Sequence, residues 1–181
     1  PNYHQAMKHV SSARKKIAKK TIFNLIGPLS SPAQVKKQVV GVFNEKWMMP
    51  FAEALKENKA KNAFIVHSLD GMDEISPFAK TKIVELKDDT IKSFLIDPAD
   101  FNITNKNKEN LKGKNAEYNA QKIVEIFKGV DNEFSDSVAL NVAAGLVISN
   151  KERDFKKAYN FSKQHLKSGK VYDHLQKVRA I

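Results

Sequence analysis

Three carboxylates fall within five residues at Asp70-Gly71-Met72-Asp73-Glu74. They follow directly on Ala63-Phe64-Ile65-Val66-His67-Ser68, whose first four residues form a β-rich apolar run that reads as a strand. Carboxylates placed just past the carboxyl end of a parallel strand stand where open α/β sheets bind their ligands. Neighbouring oxygen ligands on a Gly-containing turn suit magnesium, which one or two carboxylates plus substrate phosphates commonly hold. Acidic residues in such loops also serve as helix caps and solvated turn residues, so the residues alone leave both readings open. Arg14 is the sole arginine before Arg153. Its planar fork could grip both oxygens of a carboxylate ligand, or it could lie on a helix surface. His4 reads either as a proton shuttle or as a helix N-terminal residue, and no metal-ligand spacing links the five histidines.

Absent patterns narrow the chemistry further. The seven glycines never cluster, so no loop in this chain can cradle a diphosphate or triphosphate with backbone amides. Neither a P-loop nor a serine-hydrolase signature occurs. Cysteine is absent, which excludes disulfides and thiolate metal sites and fits a reducing cytoplasm.

The elements that must position these residues alternate between the two main periodicities. Residues 5–18 lack Gly and Pro and place Met7, Val10 and Ile17 among basic residues, which predicts a partly amphipathic helix. A turn region over 21–32 follows, where Gly27-Pro28 and Pro32 should stop helical continuation. Gln38–Phe43 and Ala63–Val66 read as strands separated by a helix over 49–59, a βαβ unit with parallel pairing. Lys82–Leu86 and Ile91–Ile96 flank a polar turn and predict an antiparallel hairpin. The Asn- and Lys-rich segment 101–114 reads as a surface loop. Helices are expected from Ala116 to Phe127, ending at Gly129, and from Ser135 to Ser149 as the central buried helix. Two peripheral helices are marked by Phe155, Ala158, Tyr159 and Leu166, and by Leu175 and Val178. The fold class is therefore α/β: a mixed, mostly parallel sheet flanked by helices, preceded by a helix that belongs to another unit. Residues 1–30 are assigned to a helical-domain and hinge region and 31–181 to the α/β domain.

The net charge of +11 raises the possibility of nucleic-acid binding. Of 31 basic residues only Arg14, Arg153 and Arg179 are arginine, and base-edge recognition favours the guanidinium over the ammonium. A lysine-rich solvated surface facing a small anionic substrate accounts for the charge more simply. The longest apolar stretch, 138–148, is interrupted by Asn141 and Gly145 and falls well short of a membrane span.

Several local patterns occur in an order that resembles the anthranilate phosphoribosyltransferase family. They are His4-Gln5-Ala6-Met7 with Val10 and Arg14, and Lys20-Thr21-Ile22-Phe23-Asn24-Leu25-Ile26-Gly27-Pro28-Leu29 with Pro32-Ala33. Gln38-Val39-Val40-Gly41-Val42 and Asp70-Gly71-Met72-Asp73-Glu74-Ile75-Ser76 continue the series. Weaker similarity runs through Asp100-Phe101, Asn119-Ala120 and Asn141 to Gly145. The block from Thr21 to Leu29 separates the family from the pyrimidine nucleoside phosphorylases, which share its fold.

The resemblance implies transfer of phosphoribose from phosphoribosyl pyrophosphate to the amine of anthranilate, releasing pyrophosphate, in tryptophan biosynthesis. It implies that Asp73 and Glu74 bind magnesium, that Arg14 holds the anthranilate carboxylate, and that Pro1, His4, Met7, Gly27 and Pro28 line the anthranilate channel. It assigns no catalytic acid or base. A homodimer in the cytoplasm, with no membrane association, is implied for the complete enzyme. The chain departs from the family at Gln5, Ala18 and Lys20, where Pro, Gly and Arg are common. The family's helical domain, Gly-Thr-Gly-Gly-Asp loop and Lys-His-Gly-Asn segment would precede Pro1, so the chain is expected to begin inside a longer gene product and to be inactive alone. The alternatives are a nucleic-acid-binding relative of the same fold and a pyrimidine nucleoside phosphorylase. A nucleic-acid groove gains nothing from the carboxylates of Asp73 and Glu74.

Overall fold

A computed structural model describes residues 6–17, 19–104 and 108–181; the side chains of residues 6–8, 11, 14, 15 and 110 are also outside the description. Seven helices are present among the described residues: α1 (Ala6–Ile17), α2 (Ile26–Leu29), α3 (Met48–Glu57), α4 (Ala116–Phe127), α5 (Ser135–Ile148), α6 (Phe155–Lys167) and α7 (Lys170–Arg179). Four strands, β1 (Lys37–Gly41), β2 (Asn62–Ser68), β3 (Thr81–Lys87) and β4 (Thr90–Ile96), form one sheet in that order.

Strand β1 pairs with β2 in parallel across α3, as the expected βαβ unit requires, while β2–β3 and β3–β4 are antiparallel. The sheet is mixed, but within the described residues it is not mostly parallel. The reason lies in the connection after β2: a parallel return usually crosses over through a helix, whereas residues 69–80 form none and lead straight back alongside β2. The hairpin turn falls at Asp88 and Asp89, with φ of 44° and 64°, the left-handed backbone that a two-residue turn needs between right-twisted strands.

Both faces of the sheet are covered. Phe64, Val66, Ile83 and Ile96 pack with Ile126 of α4, Leu140 and Ala144 of α5, and Ala158 of α6. On the other face Val40, Ala63, Ile65, Val84 and Leu86 pack with Met48, Phe51 and Leu55 of α3 and with Leu25. Five of the seven residues of β2 are consecutive buried positions from Asn62 to Val66, the pattern of a strand sandwiched between layers. The central helix α5 is buried along Ala139, Leu140, Ala143, Ala144 and Ile148 but leaves Val142 exposed.

Two sequence-based boundaries shift. The turn over Gly27-Pro28 contains the single helical turn α2; proline fits there because the first amides of a helix have no intrahelical acceptor. The polar segment 101–114 opens on buried Phe101 and Ile103 and carries a short 3-10 turn at Lys108–Leu111. Phe101 packs edge-on against Phe155 and Tyr159 of α6, which anchors the start of the segment to the core. No helix among the described residues is long and apolar enough to cross a membrane.

Candidate functional site

Strand β2 ends at Ser68, and the chain turns at once. The Gly71 amide donates to the Ser68 carbonyl at 2.9 Å, and the Ser68 amide donates to the Met72 carbonyl at 2.9 Å. Gly71 sits at φ 89°, a left-handed conformation that glycine adopts without steric cost. The turn carries Asp73 and Glu74 out at the carboxyl end of β2, as the strand assignment anticipates.

The three carboxylates of this loop separate into two kinds. Asp70 is half-buried and engaged on several sides. Ser76 Oγ donates to its Oδ2 at 2.9 Å, the Met72 amide to its Oδ1 at 3.3 Å, and Lys108 Nζ lies 3.5 Å from Oδ2. Burial alone would raise the Asp70 pKa, but the hydroxyls of Ser68 and Ser76, the Met72 amide and the Lys108 charge outweigh it and hold the carboxyl below its usual range. Asp70 thus works as a brace within the loop. Asp73 and Glu74 are exposed, and among the described residues no hydrogen bond or ion pair engages either carboxylate. The Glu74 pKa is raised, first by partial desolvation against its neighbours and then by the negative charges of Asp73 and Asp70.

The backbone under these two residues is held from both sides. Toward β1, the Asp73 carbonyl lies so close to Gly41 that a Cβ there would stand 1.5 Å from its oxygen. Glycine is required because the loop crosses directly over the end of β1. Toward α5, the Asn141 side chain bonds the backbone of Ile75, whose own side chain is fully buried. Ser76, also buried, receives no freedom either: its amide donates to Thr81 Oγ1 at 3.1 Å at the start of β3.

As a donor set, two adjacent carboxylates with no partner among the described residues fit a hard divalent cation that completes its coordination with water or phosphate oxygens. No group of three or more His, Asp or Glu side chains forms a full metal cage among the described residues. Glu74 also lines a recess of about 290 Å³, walled by Met72, Leu111, Ile123, Phe134 and Val138.

The other sequence-derived candidates lie elsewhere. Gly27 and Pro28 sit exposed on α2, and Pro28 lines a separate surface cavity of about 380 Å³ with Lys36 and Gln38, at the amino end of β1. The carboxylate pair stands at the opposite, carboxyl end of that strand. The backbone of Met7 and Arg14 belongs to α1, but their side chains, like Pro1 and His4 entirely, lie outside the described residues. His67 donates from Nδ1 to the Val42 carbonyl at 2.8 Å, tying the ends of β1 and β2 together.

The model of the glycosyl transferase family, a/b domain, matches residues 1–172. The chain belongs to this family. Within the glycosyl transferase family it is similar to the anthranilate phosphoribosyltransferase of Pelagibacter ubique (strain HTCC1062), at 52% identity over all of this chain and 55% of that protein. It is also similar to the crystal structure of anthranilate phosphoribosyltransferase from Thermus thermophilus, with a TM-score of 0.86 and 32% identity over 96% of this chain and 51% of that one. The Saccharomyces cerevisiae anthranilate phosphoribosyltransferase in complex with PRPP and Mg matches with a TM-score of 0.85 and 25% identity, over 96% of this chain and 50% of that one. The same yeast protein in complex with 4-fluoroanthranilate matches with a TM-score of 0.84 and 25% identity, over 96% and 51%. The chain therefore spans about half the length of the proteins it matches. The family resemblance read from the ordered motifs is borne out, and so is the helix-flanked mixed sheet.

Gly41, Ser76 and Asn141 were not assigned to the site from sequence. Their contribution is to backbone geometry, which neither charge nor spacing announces. Gly41→Ala should displace the Asp73 carbonyl and destabilise the chain by roughly 1 to 3 kcal/mol, the usual cost of overpacking a filled site; unfolding in urea checks it, and a wild-type midpoint would contradict the close approach. Because the Glu74 pKa is raised on folding, the folded state holds its proton more tightly than the unfolded one, so this group favours the fold below its unfolded pKa and the contribution is lost as pH rises through the folded pKa. Glu74→Gln should therefore be more stable than wild type at pH 7, with the difference shrinking as pH falls toward 4.5. Melting curves across that range read the sign directly.

Proposed function

We propose that this chain is the C-terminal, α/β part of an anthranilate phosphoribosyltransferase, transferring phosphoribose from PRPP to the amine of anthranilate with release of pyrophosphate, in tryptophan biosynthesis. The observation that carries the proposal is the 52% identity to the Pelagibacter ubique anthranilate phosphoribosyltransferase across the whole chain. The free carboxylate pair at the carboxyl end of β2 supports it chemically.

In this reading Asp73 and Glu74 hold magnesium, which when bound supplies charge neutralisation for the departing diphosphate. The Mg in the yeast complex with PRPP supports a magnesium requirement. Among the described residues no cation pairs with either carboxylate, so no such ion pair has to break before binding. Arg14 would grip the anthranilate carboxylate through its two parallel N–H donors and so aim the ring amine. Pro1, His4, Met7, Gly27 and Pro28 would line the anthranilate channel by shape and apolar contact. Residues 1–30 would belong to the helical-domain and hinge region and 31–181 to the α/β domain. The diphosphate also needs backbone donors from a glycine-rich loop, which these 181 residues do not contain. The chain by itself is therefore expected to bind without turning over. The complete enzyme is read as a cytoplasmic homodimer.

Two experiments on the complete enzyme test these roles. Arg14→Ala should weaken anthranilate binding by a charge-assisted bidentate contact, on the order of 1.5 to 3 kcal/mol, with PRPP binding little changed; equal losses for both substrates in calorimetry refute the role. Asp73→Asn and Glu74→Gln should each lower activity at limiting magnesium and recover part of it when magnesium is raised, since a site short of one ligand still binds metal at higher concentration. Full activity of both variants at limiting magnesium would exclude the pair as the metal site.

A further inference from the structure

Asparagine is an unusual occupant of the middle of an apolar helix, because its amide competes with the backbone and needs partners of its own. Asn141 stands in α5 between Leu140 and Val142, half-buried. Both N–H donors of its amide are used, and its oxygen accepts one bond. Nδ2 donates to the Ser137 carbonyl at 2.9 Å, one turn back in the same helix, and to the Ile75 carbonyl at 3.1 Å, while Oδ1 accepts from the Ile75 amide at 3.0 Å. Two carbonyls and one N–H around it fix which end of the amide is nitrogen.

The bond to Ser137 locks the side chain onto its helix, and the two bonds to Ile75 grip both polar groups of one residue 66 positions away in the chain. Ile75 is the residue after Glu74. Its side chain is 0% exposed in the cluster between the sheet, α5 and α6. Rotating the Ile75 backbone would break both bonds and unseat a core side chain together. The direction in which Glu74, and Asp73 before it, leave the loop is thereby tied to the central helix.

We infer that Asn141 is a positioning residue for the Asp73–Glu74 pair, holding the two carboxylates at the spacing and direction in which they take a divalent cation. The inference rests on the metal-site reading proposed above. It makes Asn141 part of the outer shell of that site: it touches neither metal nor substrate, and it acts through the Ile75 backbone.

The test titrates manganese(II) alone into the complete enzyme and follows the free ion by electron paramagnetic resonance, for wild type, Asn141→Leu, Asn141→Ala and, as a control, Ala144→Gly. Asn141→Leu keeps the volume and removes every bond; Asn141→Ala favours the helix and keeps the protein folded if the leucine does not. Ala144 is fully buried in the same helix and has no polar side-chain atom, so its glycine variant lowers stability while leaving both Asn141–Ile75 hydrogen bonds in place. Both Asn141 variants should raise the manganese dissociation constant by about tenfold or more, as outer-shell substitutions commonly do. Ala144→Gly should leave it unchanged at a comparable loss of melting temperature. In activity assays the magnesium requirement should rise, with kcat recovering at saturating magnesium. Wild-type manganese affinity in the Asn141 variants, alongside weakened binding in Asp73→Asn, would overturn the positioning role alone. Equal weakening in Ala144→Gly would also overturn it. Wild-type manganese affinity in Asp73→Asn and Glu74→Gln would overturn the metal reading and this inference with it.

Discussion

Two like charges on neighbouring residues repel, so a loop that presents Asp73 and Glu74 together has to be tied down through its backbone. The Glu74 pKa is raised first by partial desolvation and then by that repulsion from Asp73 and Asp70. The ties come from three directions. Asp70 and Ser76 close the loop on itself, β1 receives the Asp73 carbonyl at Gly41, and α5 holds Ile75 through Asn141. None of these contacts uses the carboxylates of Asp73 or Glu74, which have no partner among the described residues.

The layers behind the loop explain why the ties hold. β2 is buried on both faces, so its end point is fixed by packing against α3 on one side and α5 on the other. A loop leaving such a strand inherits a rigid starting position, and α5 reaches back to meet it. Tyr159 strengthens the same frame by donating its hydroxyl to Asp136 at 2.7 Å, where Lys163 also pairs at 2.8 Å, joining α6 to the start of α5. Local stability is thus concentrated where the site needs precision, while the Glu74 carboxylate itself works against the fold at neutral pH. Functional residues that cost stability are a common trade in enzymes.

Much of this was legible in the sequence. Periodicity located β1, β2, the hairpin and the helices α4, α5 and α6 within a residue or two, because each has an apolar pattern at its own period, while Leu175 and Val178 marked only the second half of α7, which begins at Lys170. The acidic loop was visible as a cluster of ligand-type residues after a strand. The pairing direction of β2 with β3 was not legible, since a strand buried on both faces looks alike in parallel and antiparallel sheets. Nor was the division of labour among Asp70, Asp73 and Glu74: the three share one chemistry, and only the partners Ser68, Ser76 and Lys108 make the first a brace. Asn141 was seen as part of a weak family similarity, with no hint that its amide reaches Ile75, because a contact across 66 residues leaves no local trace.

The central claim is that the Asp73–Glu74 pair binds the divalent cation of a phosphoribosyl transfer site. The most direct measurement is a crystal structure of the complete enzyme with manganese(II) and PRPP, read by anomalous scattering at the manganese edge. The account predicts an anomalous peak about 2.0 to 2.3 Å from carboxylate oxygens of Asp73 or Glu74 and in contact with the diphosphate, distances typical of small hard divalent cations on oxygen ligands. Manganese bound to the diphosphate with both carboxylates turned away, or bound elsewhere on the chain, would contradict it.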